Sequence, residues 1–323
     1  MKKLIAIALA TLLLISMTAC TSTGDQVADE KYVIGICQWV QHPALDSATQ
    51  GFKDAVIAGL GADNVTFKDE NANNDSTNCT AIMTSFVSEE VDLIMANATP
   101  AVAAAYNATE IIPILGTSVT EYGVALGIKD FSGTVGGNVS GTSDLAPLST
   151  QAQMILDWVP TAQKVALLYC SAEPNSQYQV DEVQKYLESK NIECKQFAFS
   201  DASNMNAVTQ SAADYGDAIY VPTDNTVATY ATAIDEICRP AKVPVIAGEA
   251  GICASCGIAT LSIDYYDLGV KTGEMAVDIL KNGADISKMA IEYTPEAKLQ
   301  YLYNEEICKS LGLTPLDGYS KLS

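Results

Sequence analysis

The chain has 323 residues, 39 acidic side chains against 18 basic ones, a formal charge of −21 and 48% hydrophobic residues, enough to bury one large core or two linked ones. So acidic a surface repels phosphate, which excludes nucleic acid and anionic lipid as partners. A single histidine, His42, leaves no cluster for metal or acid–base work, and there is no G-x-x-x-x-G-K-[ST], no G-x-S-x-G and no G-x-G-x-x-G after the first strand. The residues argue against an enzyme and call for no cofactor and no metal.

In chain order, Met1-Lys2-Lys3 and "LIAIALATLLLISM" form a positive start and an apolar run shorter than the roughly 20 residues of a membrane span. They predict a signal peptide over 1–19. The following "MTAC" resembles the lipobox of bacterial lipoproteins, which implies that Cys20 is lipidated and becomes the new N-terminus. Removing Lys2 and Lys3 moves the formal charge from −21 to about −23. "TSTGDQVADEK" predicts a flexible tether over 20–31, and no later apolar run is long enough to span a bilayer. The body is therefore expected outside the membrane, held to it by the lipid.

From "YVIGI" at 32–36, short β-branched runs alternate with helical patterns. Leu45, Ala48, Phe52, Ala55 and Val56 repeat at helical spacing after that first strand. "VTFKD" then precedes a face of Cys79, Ile82, Met83, Phe86 and Val87; "VDLIMA" precedes the helix "TPAVAAAYNA"; and "IIPIL" makes a fourth strand. After "GTVGGNVSGTSD" the pattern restarts with helix 149–158, strand "KVALLY", helix 176–190, strand "ECKQFAF", helix 203–215, strand "DAIYV", helix 226–238 and strand "VPVIA". "IATLSI" opens another unit with "DYYDLGVKTGEMAVDILKNG", and "AIEYTPEAKLQYLY" adds an extended segment. Continuous apolar strands with helices between them imply α/β architecture, parallel sheets covered on both faces. Two Rossmann-like lobes follow, 32–141 plus 264–290 and 142–263 plus 291–323, with Gly133 to Ser143 as the first of three hinge crossings.

The stretches "IGICQWVQHPALDSATQGFKDA", "ANATPAVAAA", "PILGTSVTE", "GNVSGTSD" and "GIATLSIDYYDLGVKTGEMAVDIL" resemble, in order and over about 31–315, the ABC-transporter substrate-binding lipoproteins of the tryptophan/tyrosine type. The resemblance implies a periplasmic-binding-protein-like type I fold with three hinges, delivery of ligand to an ABC permease in the membrane, and an aromatic amino acid as ligand. The sequence departs from the usual pattern at Trp39 and in "GICASCG". The function expected is that of a lipid-anchored, extracytoplasmic substrate-binding protein of an ABC importer. A ligand sensor of the same fold signalling to a membrane receptor, or a binder of a nucleoside or other small molecule, stays open beside it.

Ligands of open α/β sheets sit at the carboxyl ends of the strands. The candidates are Gln38 and His42 after the first strand, Asn71 and Asn73 after the second, Asn97 and Thr99 after the third, and Thr117 and Ser118 after the fourth. The second half offers Asn175 and Ser176, then Thr223, Asp224 and Asn225, then Glu249; Asn138 comes from the glycine-rich stretch. The only arginine, Arg239, ends a helical pattern before Pro240, where its charge suits the helix dipole, so no arginine clamp is expected. A ligand carboxylate must then rest on helix starts, with Thr99 as N-cap and Pro100 as first helical residue, and a second start at Ser118. The ammonium needs an acid across the cleft, Asp224 or Glu249, with Asp264 as a hinge-side reserve. His42 either touches a helix start or stacks on the ligand, and Trp39 covers either the cleft mouth or the sheet edge.

Nine cysteines are present. Cys37, Cys170 and Cys194 lie in predicted strands and Cys79 and Cys238 in helices, where a thiol behaves as a small hydrophobe. The C-x-x-C pair Cys253 and Cys256 lacks partners for a zinc site. A disulfide in a loop and two plain thiols remain open for it.

Overall fold

The computed structural model describes residues 31–322. The expected leader, Cys20 and the tether ahead of Lys31 lie outside them. The chain runs through β1 (Tyr32–Gln38), α1 (Pro43–Leu60), β2 (Val65–Asn71), α2 (Ser76–Ser88), β3 (Leu93–Asn97), α3 (Thr99–Ala108), β4 (Ile114–Val119), α4 (Tyr122–Leu126) and β5 (Val139–Ser143). These strands are parallel, in spatial order β5-β4-β3-β1-β2. A second series follows: α5 (Leu148–Trp158), β6 (Lys164–Cys170), α6 (Pro174–Ser189), β7 (Glu193–Phe199), α7 (Ala202–Tyr215), β8 (Ala218–Val221), α8 (Asn225–Ala241), β9 (Val245–Ala247), α9 (Ala250–Cys256) and β10 (Ala259–Ser262). It forms a second parallel sheet in the order β10-β9-β8-β6-β7.

The chain then returns. α10 (Tyr265–Leu280) packs on α1, and β11 (Glu292–Tyr293) pairs with β5 in the first sheet. β12 (Gln300–Tyr303), α11 (Glu305–Leu311) and β13 (Ser320–Lys321) finish on the second sheet, where β12 runs antiparallel to β10. Three crossings therefore join two lobes, after Ser143, after Ser262 and after Tyr293. Each sheet is buried on both faces. Phe52, Val56, Met95 and Met275 fill one side of the first, and Met83, Phe86, Val102 and Tyr122 the other. Phe199, Met205, Ile234 and Ile252 lie on one side of the second, and Ile155, Val183, Leu187 and Leu261 on the other. Such continuous burial is why the strands carry long apolar runs.

Several local expectations are corrected. The stretch ending at Ser143 is not wholly a linker, because Val139–Ser143 is a strand buried along its whole length. The first sheet also keeps Glu292–Tyr293, so the crossings lie a few residues beyond the boundaries expected after 141 and 290. A Cβ on Gly141 would overlap Gly116 O and the Tyr122 hydroxyl, so β5 can approach β4 only with glycine there. Cys253 and Cys256 sit on α9, not in a loop, one turn apart in the apolar core, and both are free thiols.

Candidate functional site

The carboxyl ends of both sheets face each other across the crossings, and the polar residues there divide into those that hold the frame and those left with bonding capacity. Gln38 belongs to the frame. Its amide donates to Val40 O (3.0 Å) and Asp46 Oδ1 (2.7 Å) and accepts from Thr49 Oγ1 (2.7 Å), tying the first turns of α1 to β1. Asn97 donates to Leu45 O and Thr49 Oγ1, both at 2.9 Å, while its Oδ1 is buried without a partner. Thr117 stands in a hydroxyl chain through Thr142 (3.2 Å) to Thr272 (2.8 Å), which fastens β4 and β5 to α10.

Thr99 and Ser118 lie side by side, since Ala98 N–H donates to Thr117 O at 2.9 Å. The N-cap of α3 is Ala98 and not Thr99, which is the first helical residue. Ala98 has φ +93° and ψ 160° and Ser118 has φ +55°, backbone conformations costly for residues with a Cβ and held by the surrounding structure. The two strained residues lie at the carboxyl ends of the neighbouring strands β3 and β4, Ala98 just past the one and Ser118 one residue before the end of the other. No helix starts at Ser118; β4 continues to Val119, and α4 is capped by Glu121, whose carboxylate accepts from Val124 N at 2.6 Å. Ser118 Oγ is buried and unpartnered. Asn138 lies elsewhere: it precedes β5 at the amino end, opposite the cleft, where its amide donates to Thr109 O (3.0 Å) and Ile112 O (2.8 Å).

In the second lobe Asp224 is committed to structure. It caps α8 through Val227 N (2.8 Å) and also accepts from Cys170 N (2.7 Å). Burial, then the neighbouring Glu173 carboxylate, pushes its carboxyl well above the usual range. Glu173, not anticipated from the sequence, accepts from Asn225 and Thr226 through backbone and side chain at 2.7–3.0 Å. Glu249 caps α9, accepting from Gly251 N (2.6 Å) and Ile252 N; burial raises its carboxyl, while those backbone donors and the nearby His42 work against the rise. Thr223 donates from its backbone to Gln179 Oε1 (3.0 Å) and from its hydroxyl to Gly248 O (3.3 Å).

His42, the N-cap of α1, reaches across the cleft, and its Nε2 donates to Asn225 Oδ1 at 3.2 Å. The Asn225 amide nitrogen is already donating to Glu173, which leaves Oδ1 for the histidine. Asp264 caps α10 through Asp267 N (3.1 Å) and is exposed, lining a separate cavity of ≈ 420 Å³ at the crossings with Glu292, Tyr293 and Lys298.

A second acid missed from the sequence, after Glu173, is Asp144, directly after β5. It is 6% exposed, takes a hydrogen bond from Tyr265 OH on Oδ2 (2.9 Å), and its Oδ1 is buried with no partner. Burial pushes its carboxyl up to about 6, the Tyr265 and Thr120 hydroxyls hold it back, and the Glu249 charge adds to the rise. Among the described residues, none of Asp144, Glu173, Asp224 or Glu249 is in a salt bridge with a lysine or arginine. Arg239 pairs with Asp235 (2.8 Å) and Glu306 (2.7 Å), away from these acids. Buried anions without a cation are unfavourable unless something positive arrives.

Beside this polar floor, Trp39, Thr99, Pro100 and Ala103 of the first lobe and Ala172 and Pro174 of the second enclose a mostly apolar cavity of ≈ 300 Å³. Trp39 is 7% exposed. No cluster of metal-ligating side chains occurs among the described residues, and none of their helices is long and apolar enough to cross a membrane.

This architecture and cleft have known counterparts. A protein of Clostridioides difficile (strain R20291) described as a tyrosine-binding protein is 34% identical over 329 residues, covering 98% of this chain and 94% of its own. A crystal structure of an ABC domain from Streptococcus pneumonia in complex with L-Trp is 28% identical and superposes with a TM-score of 0.85 over 90% of this chain and 99% of that one. The ligand-free, open structure of a Clostridium difficile substrate binding protein with adhesive properties is 35% identical, with the same coverage but a TM-score of 0.70. The present chain is thus nearer in shape to the ligand-bound relative than to the open one, although nearer in sequence to the latter. The sequence profile of the ABC transporter substrate binding proteins matches residues 33–322, nearly all of the two-lobed body, and the chain belongs to that family.

Proposed function

We propose that the chain is the lipid-anchored, extracytoplasmic receptor of an ABC importer, that it binds an aromatic L-amino acid between its lobes, and that it carries out no catalysis. The observation that carries this reading is the free, buried Oδ1 of Asp144 beside Glu249, with no lysine or arginine among the described residues to neutralise either. A ligand ammonium supplies the missing charge. The ligand carboxylate lies on Ser118 Oγ and the Thr99 N–H that opens α3, where the helix dipole favours an anion. The ring lies in the cavity walled by Trp39, Pro100 and Pro174. The tyrosine-binding relative and the L-Trp complex support an aromatic amino acid.

Calorimetry tests the reading with L-tyrosine, L-tryptophan and L-phenylalanine against tyramine, which lacks the carboxylate, and 4-hydroxyphenylpropionate, which lacks the ammonium. The three amino acids bind and the two analogues do not; an analogue without its ammonium binding as tightly as tyrosine overturns it. Lipidation at Cys20 holds the receptor beside its permease, raising the local concentration of loaded protein. Detergent partitioning of the expressed protein, lost in Cys20→Ser, checks the anchor.

A further inference from the structure

Cys37 on β1 and Cys79 on α2 are 42 positions apart in the chain, yet their Sγ atoms lie 3.8 Å from each other, in contact and within hydrogen-bonding reach for sulfur. Both are buried, on the face of the first sheet that also holds Met83 and Phe86. Their surroundings differ. Cys37 is inside the sheet, whereas Cys79 lines the apolar cavity between the lobes together with Trp39, Thr99 and Pro174. Cys79 is also in the first turn of α2, where its N–H donates to Asp75 O (3.0 Å) and the positive end of the helix dipole stabilises a thiolate.

We propose that Cys37 and Cys79 form a redox-active dithiol, with Cys79 as the nucleophile, Cys37 as the resolving thiol, and a small disulfide as the oxidant. Either thiol can donate across the 3.8 Å contact, and the arrangement in which Cys37 Sγ–H donates to Cys79 lowers the Cys79 thiol below its ordinary range, against its burial. The same bond, with burial, raises Cys37. One partner is thus ready to attack while the other keeps its proton until a mixed disulfide needs it.

The exchange balances. The Cys79 thiolate attacks one sulfur of the oxidant, and the other sulfur leaves as a thiolate and takes up a proton. The Cys37 sulfur then loses its proton and attacks Cys79 Sγ, expelling the second small thiol. One S–S bond is lost in the oxidant and one is gained between β1 and α2; two electrons pass to the oxidant, and both cysteine protons end on the released thiols. The family works outside the cytoplasm, where such an oxidant persists. Cys253 and Cys256, despite their C-x-x-C spacing, meet neither condition: burial raises both thiols well above the ordinary range, and α9 points them into the core.

The test uses the full chain, reduced, desalted, incubated with oxidised glutathione, then denatured in N-ethylmaleimide and digested without reduction. The expected product is a peptide containing Cys37 joined to one containing Cys79, lighter by two hydrogens than the two separate peptides. Recovery of both cysteines as N-ethylmaleimide adducts overturns the proposal. In Cys37→Ser, glutathione is expected to stay on Cys79 as a stable mixed disulfide that does not accumulate in the wild type. Equal trapping in the two proteins overturns the assigned roles. The wild-type map decides the central point even where the variant does not fold, and neither measurement depends on the identity of the transported ligand.

Discussion

Asp144 occupies a position that folding alone does not favour. Its carboxyl has an ordinary value of 3.8 and is raised to about 6 in the folded chain, first by burial and then by Glu249. The folded state therefore holds a proton that the unfolded state has lost between about pH 4 and 6, and without ligand this residue makes stability fall as pH rises through that window. An ammonium placed on Oδ1 requires the carboxylate, so the proton and the ligand compete. Affinity for L-tyrosine is expected to weaken as pH falls below about 6, by at most roughly tenfold per pH unit. Asp144→Asn should cost about 2–5 kcal/mol of affinity and flatten that pH dependence. The same substitution should raise the melting temperature of the ligand-free protein at pH 7.5, because it removes a buried charge that has no partner. Calorimetry across pH 5–8 and thermal melts check both halves; unchanged affinity in Asp144→Asn places the ammonium elsewhere.

The difference between Glu249, legible in the sequence, and Asp144, missed, lies in their elements. Glu249 follows "VPVIA", whose β-branched residues announce a strand and so mark what comes after it. Asp144 follows "VSGTS", whose composition announces a linker, although the segment is a fully buried strand. Its hydroxyls are satisfied internally. Ser140 Oγ donates to Met289 O (3.1 Å), Thr142 Oγ1 bonds Thr117 and Thr272, and Ser143 Oγ donates to Thr120 O (2.8 Å). Burial of polar residues in this way depends on partners up to 150 positions distant, which no local pattern contains. The helix starts failed for a related reason. A capping hydroxyl was expected at Thr99 and Ser118, but the chain there adopts positive φ at Ala98 and Ser118, imposed by the packing of β3 against β4. The alternation of strand and helix, by contrast, was readable nearly throughout, because apolar period and strand length follow from burial on both faces of each sheet.

At the scale of the whole molecule, the cleft is bridged by the His42–Asn225 bond, the contacts of α4 with α6 and of α1 with α9, the walls of the apolar cavity and the three crossings. A ligand that touches both lobes shifts the population toward the closed form by its differential affinity for it. Small-angle scattering should therefore give a smaller radius of gyration at saturating L-tyrosine than without it, and an unchanged profile counts against lobe closure. The return of the chain to its first lobe has a kinetic side as well. Phe52 and Val56 of α1 share their core with Met275 and Ala276 of α10, and a Cβ on Gly269 would overlap Ala48 O, so these two helices lie almost against each other. Yet more than 200 positions separate the partners, and all of the strands β6–β10 are made between them. On a growing chain the first lobe cannot finish, because the helix that covers its apolar face is synthesised after β6–β10. The second lobe waits longer still, because β12, α11 and β13 come last of all. A polypeptide that has to be threaded through a membrane before it folds is thereby kept from closing early by the order of its own elements, without a separate holding device.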